Sequence, residues 1–487
     1  MTDLHYLSAA EALTLFRTRQ LSPVELMQAI IDRAASVEPT VNAFAEEMFE
    51  QALHAAADAE RRYRPGGRPR PLEGLPVAAK EEQQVAGRSV TDGTLLRPPR
   101  TASETTIILS RVEAAGGILH ARTTTSEFCC MPLSHTRRWG VTRNPWNLEA
   151  AAGGSSGGAA ASLAAGTATL ATGSDIGGSL RAPASFNGVV SFKPPRGRNP
   201  ILPPAGTDTY FHHGPMARSV SDCALLQNSL SGWDPRDPAS KHPDTPLPAN
   251  PGSVRGLRIA FSTAPGDFPV DPEVRVNTQI AAEALRTVGA VVVEIDIDWR
   301  LDDIKRALWA HFGNGRAAEI LDLDRTCPGR ITPYTLAFAQ KAMETAPLVD
   351  AETGRALESV IQQRLDAVLD RFDAYLIPTV GATAFAAGED YVDTPLVVGE
   401  LEIEHFSDAS LTPVFNICSA NPVVAVPSGW ASNGVPTGVQ VVAARYADVT
   451  AFRVAHGIEQ AVSAGFAGGR RPDLPGRALK DAVRPRP

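Results

Sequence analysis

Two serines in glycine-rich loops and one lysine behind an apolar run are the residues of this chain best suited to chemistry. Residues 153–158 read Gly-Gly-Ser-Ser-Gly-Gly, and residues 173–181 read Gly-Ser-Asp-Ile-Gly-Gly-Ser-Leu-Arg. Lys80 follows Leu75-Pro76-Val77-Ala78-Ala79; Ser155 stands 75 residues after it, and Ser179 a further 24. Glycine lets a backbone approach a ligand closely and lets consecutive N–H groups point the same way. A serine closing such a loop can attack a carbonyl while the loop's amides hold the oxyanion. An amide carbon is a poor electrophile, so cleaving it needs an activated nucleophile, a stabilised oxyanion and a proton for the leaving nitrogen. Ser179 is read as the nucleophile, with the N–H groups of Ile176, Gly177, Gly178 and Ser179 as the oxyanion hole.

Helices and strands alternate along the whole chain, as positioning these loops requires. Ser8-Ala9-Ala10-Glu11 and Ser22-Pro23-Val24-Glu25 are capping boxes, each opening a helix; the second helix is expected to run to about Val37. Arg61 to Pro71 reads as a surface loop. Leu75 to Ala79 is expected as a buried strand ending at Lys80, Thr105 to Ala115 as a helix and Ile118 to Arg122 as a strand. Leu257 to Phe261, a helix capped by Asp271-Pro272 with an apolar stripe at Val276, Ile280, Ala284 and Val288 and a second at Ala281 and Leu285, and Ala290 to Ile295 form a βαβ pattern. Part of the sheet is therefore expected to be parallel. Val423 to Val426 and Val439 to Val442 read as strands, followed by a helix from about Asp448. The fold class is α/β, an open mixed sheet covered by helices.

These motifs resemble those of the amidase signature family of amide hydrolases. The resemblance starts near Ser22-Pro23-Val24-Glu25 and runs through Gly74 to Lys80, the two loops, Lys193-Pro194 with Gly197-Arg198, and Gly214-Pro215-Met216-Ala217-Arg218-Ser219. It ends near Gly434 to Gln440. It implies one large α/β/α domain over 1–487, with a helical segment of about 1–70 packed on it and the glycine loops at its centre. It places the catalytic residues on Lys80, Ser155 and Ser179: Lys80 as base acts through the Ser155 hydroxyl, which passes the Ser179 proton on and later returns it to the departing amine. A free lysine is protonated at neutral pH, so this role requires surroundings that disfavour the ammonium. The resemblance also implies a cis peptide bond at the first serine of the pair. Asp175 and Arg181 are expected to pair and brace the nucleophile loop. Asn416, Lys193 and Arg218 match family positions and read as scaffold. Departures from the family pattern are Glu81 with Glu82, Asn187-Gly188, and Ser126 before Glu127. None is a catalytic position, so they bear on the substrate.

Other chemistries fit less well. Gly153-x-Ser155-x-Gly157 also matches the nucleophile elbow of α/β-hydrolases, with Asp448 and His456 in the required order. That reading needs a strong strand before Gly153, and Trp146 to Ala152 is a poor one; Asp448 and His456 also fall on one expected helix. No His-Glu-x-x-His is present, and His212-His213 alone is weak support for a metal. No Walker lysine follows either loop, so nucleotide phosphate is not expected. No metal or cofactor is expected. A further alternative is a glutamine-dependent amidotransferase component, which resembles the same family; the Arg-Arg pair usual there is absent from Asp324 to Leu336.

The net charge of −8 argues against nucleic acid or an anionic membrane as the main partner. No uncharged apolar run of membrane-spanning length occurs, the N-terminus shows no signal-peptide pattern, and the five cysteines do not suggest a disulfide framework. A cytoplasmic monomer or homodimer acting on a small amide or carbamate is expected. The segments expected to shape its pocket, Cys129 to Trp139, Ile201 to His213, Leu308 to Thr335 and Leu411 to Ser419, are rich in apolar and aromatic residues. Met131, Tyr210, Phe415 and Ile417 are the substrate contacts expected among them, which favours an apolar or aryl group.

Overall fold

The computed structural model describes residues 3–96, 100–241, 246–313 and 316–474. Its strands are short, and eleven of them join in one sheet: β1 (Phe44–Glu47), β2 (Pro76–Lys80), β3 (Ile118–Thr123), β4 (Leu170–Asp175), β5 (Val190–Lys193), β6 (His212–Ala217), β7 (Arg258–Phe261), β8 (Val291–Glu294), β9 (Ala374–Pro378), β10 (Val423–Trp430) and β11 (Pro436–Ala443). Their order is β1-β3-β2-β4-β6-β5-β10-β11-β9-β7-β8. Two parallel blocks, β3-β2-β4 and β9-β7-β8, are joined by antiparallel strands. The expected βαβ unit is the second block's edge, with Arg258–Phe261 parallel to Val291–Glu294.

Both faces of the sheet are covered. In β9, Ala374 and Leu376 pack into one apolar cluster while Tyr375 and Ile377 pack into another. In β10, Val424 and Val426 face the first cluster, and Val423 and Ala425 turn away from it. Side chains alternate across a strand, so each near-continuous apolar run feeds two layers at once. The result is a single α/β domain with a mixed sheet between helical layers.

Three expectations need correction. The helix opened by Ser22 runs Pro23–Val41, past the expected end at Val37 and through Pro39. It stops where Asn42 turns left-handed, and the Glu38 carboxylate accepts the amides of Ala43 and Phe44 beyond it. The helix Pro272–Thr287 does not bury the stripe at Val276 and Ile280, which are 57% and 48% exposed. It is turned so that Val274, Ala281, Ala282 and Leu285 pack inward, where Asn277 donates to the Trp430 carbonyl and to Thr437. The N-terminal segment is not only helical, since its strand β1 pairs with β3 at the sheet edge.

At the centre lie two short helices, Gly157–Ala165 and Arg181–Asn187, in which every residue is buried. Gly157–Ala165 is glycine, alanine and serine apart from Leu163, so it has little bulk on any face and can sit against neighbours on every side. A Cβ at Gly158 would overlap Thr124 and the Ala43 carbonyl. Arg218 fastens this layer: its guanidinium donates to the carbonyls of Leu163 and Ala168 and also to that of Leu7 in the N-terminal segment. Among the described residues, no helix is long and apolar enough to cross a membrane.

Candidate active site

β2 and β4 run parallel and adjacent, with Ala79 opposite Thr172, so Lys80 and Ser174 emerge together near their C-terminal ends. Lys80 is fully buried, and its Nζ donates to Ser155 Oγ at 2.7 Å and to Ser174 Oγ at 2.8 Å. The peptide bond between Gly154 and Ser155 is cis. The next residue ties the two glycine loops together: the Ser156 amide donates to the Ser179 carbonyl at 3.2 Å, and its hydroxyl donates to the Ser174 carbonyl at 3.2 Å. Ser155 is fully buried, whereas Ser179 is 8% exposed and lines an open cavity. The structure therefore brings Lys80, Ser155 and Ser179 into one place. Ser174 joins them, and the sequence reading had missed it. Its sequence signal is its place directly after Gly173, at the start of the second glycine loop.

The nucleophile loop is braced from beneath. Asp175 accepts from Arg181 Nε and Nη2, both at 2.9 Å, and from Asn416 Nδ2 at 2.8 Å. Arg181 also donates to the Thr412 carbonyl, Gln440 and Asn416. Burial alone would push the Asp175 carboxyl upward, but the Arg181 charge and these hydrogen bonds outweigh it and hold the group well below the usual carboxylate range. Gly178 has φ of 128°, and a Cβ there would overlap Thr412, whose hydroxyl donates to the Gly177 carbonyl at 2.7 Å. The oxyanion reading needs one correction. The Gly178 N–H donates to Asp175 Oδ1 at 2.8 Å, so it is committed to holding the loop. Ile176, Gly177 and Ser179 remain as candidate donors, and all three line the cavity.

Because Arg181 and Asp175 are wholly buried, removing one charge strands the other. Asp175→Asn is expected to lower unfolding free energy by about 3–5 kcal/mol, measured by denaturant titration. The folded carboxyl is depressed, so in the wild type this contribution is present above the unfolded carboxyl value of roughly 3.9 and is lost as pH falls toward the lower folded value. The stability difference between wild type and variant should shrink over that acidic range.

The cavity wall opposite Ser179 is aromatic and apolar. Leu308, Trp309 and Phe312 come from the helix Leu301–Gly313, Phe338 from the helix Pro333–Thr345, and His405 and Phe406 from a short turn of helix at Phe406–Ala409. Cys129, Cys130 and Met131 close one side, where Phe128 and Cys129 both adopt left-handed backbone. Burial lowers the pKa of His405 to about 4. Among the described residues, no Asp, Glu, Lys or Arg lines the cavity. Residues 314 and 315 of the expected pocket segment lie outside the described residues.

Of the four expected substrate contacts, only Met131 lies on this wall. Tyr210 and Phe415 are buried in the apolar cluster behind it, and Ile417 packs against that cluster. Tyr210 stacks on His311 and donates to Glu358, so its hydroxyl is occupied away from the cavity. Phe338, His405 and Phe406 were missed because they enter from elements distant in sequence, and nothing local marks them as pocket residues.

The rival constellations are dispersed. Asp448 accepts from Arg198 Nε at 2.7 Å, and His456 stands 3.5 Å from Glu459 on the same helix, so both are engaged away from Ser155. Asn147–Ala151 does form a strand, contrary to the reading of Trp146 to Ala152 as a poor one, but it pairs with Arg143–Asn144 in a separate ribbon. His212 and His213 are neighbours on β6 and so point to opposite faces. His212 contacts the carbonyls of Tyr210 and Ser419, and burial pulls its pKa down to about 3. Lys193 sits against the carbonyls of Pro194 and Ser419, and burial together with the nearby Arg181 lowers it to about 7. Among the described residues, no three His, Cys, Asp or Glu side chains converge as a metal site would require.

The family pattern described as Amidase matches residues 25–452. An acylamidase of Rhodococcus erythropolis is 31% identical over 463 residues, which is 94% of this chain and 96% of that protein. A glutamyl-tRNA(Gln) amidotransferase component of Chloroflexus aggregans is 30% identical, covering 97% and 99% respectively. Among solved structures, a bacterial aryl acylamidase of the amidase signature family superposes with a TM-score of 0.87 at 28% identity, covering 98% of this chain and all of that one. A 6-aminohexanoate cyclic dimer hydrolase superposes with a TM-score of 0.82 at 27% identity, covering 97% and 100%. With the family pattern spanning most of its length and its whole fold shared with these enzymes, the chain belongs to the amidase signature family of hydrolases.

Proposed function

We propose that this enzyme hydrolyses the C–N bond of apolar or aryl amides through an acyl-enzyme on Ser179. One observation carries the reading: Ser179 faces an aromatic cavity while the hydrogen-bonded Lys80–Ser155 pair lies buried behind it. Ser179 Oγ attacks the carbonyl carbon; its proton moves to Ser155, and the Ser155 proton moves to neutral Lys80. The oxyanion is met by amides of Ile176, Gly177 and Ser179, each such donor being worth about 3–4 kcal/mol in the transition state. Lys80 returns the proton through Ser155 to the leaving nitrogen and the C–N bond breaks. Water then attacks the ester carbonyl by the same relay and frees the acid.

The cavity wall supports the substrate class. Burying aromatic surface is favourable without any polar partner, whereas a zwitterion such as glutamine needs counter-charges that this wall does not offer. That disfavours glutamine as the ammonia source despite the likeness to amidotransferase components. The test is a hydrolysis screen over aryl amides, short aliphatic amides, glutamine and aryl carbamates. Aryl amides should give the highest kcat/KM. Carbamates should be cleaved where their leaving amine is aryl, since they present the same carbonyl and nitrogen. Glutamine turnover exceeding that of aryl amides would overturn the proposal.

A further inference from the structure

Behind Lys80 lies a buried polar group that the relay does not use. Ser174 on β4 and His213 on β6 are directly opposed in the antiparallel register, so their side chains stand together on one face. Glu82, two residues beyond Lys80, reaches the same spot, its Oε1 3.8 Å from His213 Nε2. That separation is longer than a hydrogen bond, and the contact becomes an ion pair only when His213 is protonated. Among the described residues, Glu82 Oε1 and both His213 nitrogens are buried and find no hydrogen-bond partner. Native proteins seldom leave such groups unmatched without a use for them.

We propose that Glu82, facing His213, is a positioning residue that sets the pH at which Lys80 can serve as base. The inference rests on the Lys80–Ser155–Ser179 reading given above. A carboxylate beside a buried ammonium favours the charged form and so delays release of the free amine. Contact with His213 draws the carboxylate toward β6 and moderates that effect. Burial opposes ionisation of Glu82, yet nearby His213, the Lys80 charge and the Ser174 hydroxyl outweigh it and take the carboxyl down to about 2, so it is an anion throughout the working range. Two other titratable groups, Cys129 and Glu81, stand nearby. Cys129, from the turn Glu127–Cys129, feels both Lys80 and Glu82 as well as Asp92, and burial raises its thiol pKa. Glu81 turns away to the Thr91 amide and Arg122. Ser174 accepts from Lys80, which leaves its own proton to orient toward the carboxylate.

The test is the pH profile of kcat/KM on a neutral aryl amide for wild type, Glu82→Gln and His213→Gln, each checked for native circular dichroism. Glu82→Gln removes the anion, so the ascending limb should move to lower pH by about one to two units. His213→Gln frees the carboxylate to turn toward Lys80, so the limb should move to higher pH. A purely structural role would lower activity in both without displacing either limb. An unmoved limb, or movement in the same direction in both, overturns the inference. If Glu82→Gln does not fold, the unmoved limb of His213→Gln alone does so. Full activity in Lys80→Ala would instead sink the underlying relay, which separates the two failures.

Discussion

Ser179→Ala is expected to abolish hydrolysis while leaving the protein folded. The side chain is small and at the cavity wall, and its loss opens little space in the core. The structural bonds of this loop are made by backbone groups, among them the Ser179 carbonyl, the Gly177 carbonyl and the amides of Gly178 and Leu180, all of which alanine at 179 retains. The nucleophile itself is removed, and loss of such a group typically lowers kcat by about 10⁴-fold or more. Thermal unfolding should stay close to wild type. A serine-reactive fluorophosphonate followed by peptide mapping should label Ser179 in the native enzyme. A label found on Ser155 instead would show that the two serines have been assigned the wrong roles.

Ser155→Ala should produce the second large loss, and its kinetic form matters. Ser155 does not line the cavity and bonds Lys80 directly, so its removal should spare substrate binding and break the proton path. The drop should lie in kcat, on the order of 10²–10⁴-fold, with substrate Kd little changed. Raising the pH should recover little, because a neutral Lys80 still lacks a bridge to Ser179. Lys80→Ala should be similarly impaired, and His456→Ala should remain active. Pre-steady-state binding and single-turnover measurements separate the cases. A large rise in Kd with an unchanged chemical step would make Ser155 a binding residue and end the relay.

The parts of the fold that could be read from sequence are those governed by local rules. The capping boxes at Ser8 and Ser22 are present, as are the buried strand ending at Lys80 and the βαβ unit of β7 and β8. In the site, glycine spacing and residue type drew attention to Lys80, Ser155 and Ser179, and the expected Asp175–Arg181 brace is there. What failed depended on contacts between distant segments. An apolar stripe at Val276 and Ile280 says that a helix is amphipathic, but only its neighbours decide how it is turned. An aromatic residue such as Tyr210 or Phe415 reads the same whether it lines a cavity or fills the layer behind it. The Gly178 amide was assigned by its place in the loop, and the carboxylate that takes it up could be seen only in three dimensions.

The site is built in two halves of different origin. The reacting groups stand at the end of a central strand and in the loops that lead into the two buried central helices, where even one added Cβ at Gly158 would collide with backbone. Much of the opposite wall comes from Leu301–Gly313, Pro333–Thr345 and Phe406–Ala409, elements that supply no member of the proposed relay. Mutation in one half therefore meets steep constraint, while mutation in the other can reshape what is accepted and leave bond cleavage untouched. Such a division gives selection, or an engineer, a route to new substrates: libraries confined to Trp309, Phe312, Phe338 and Phe406 should diversify selectivity with little risk to the chemistry.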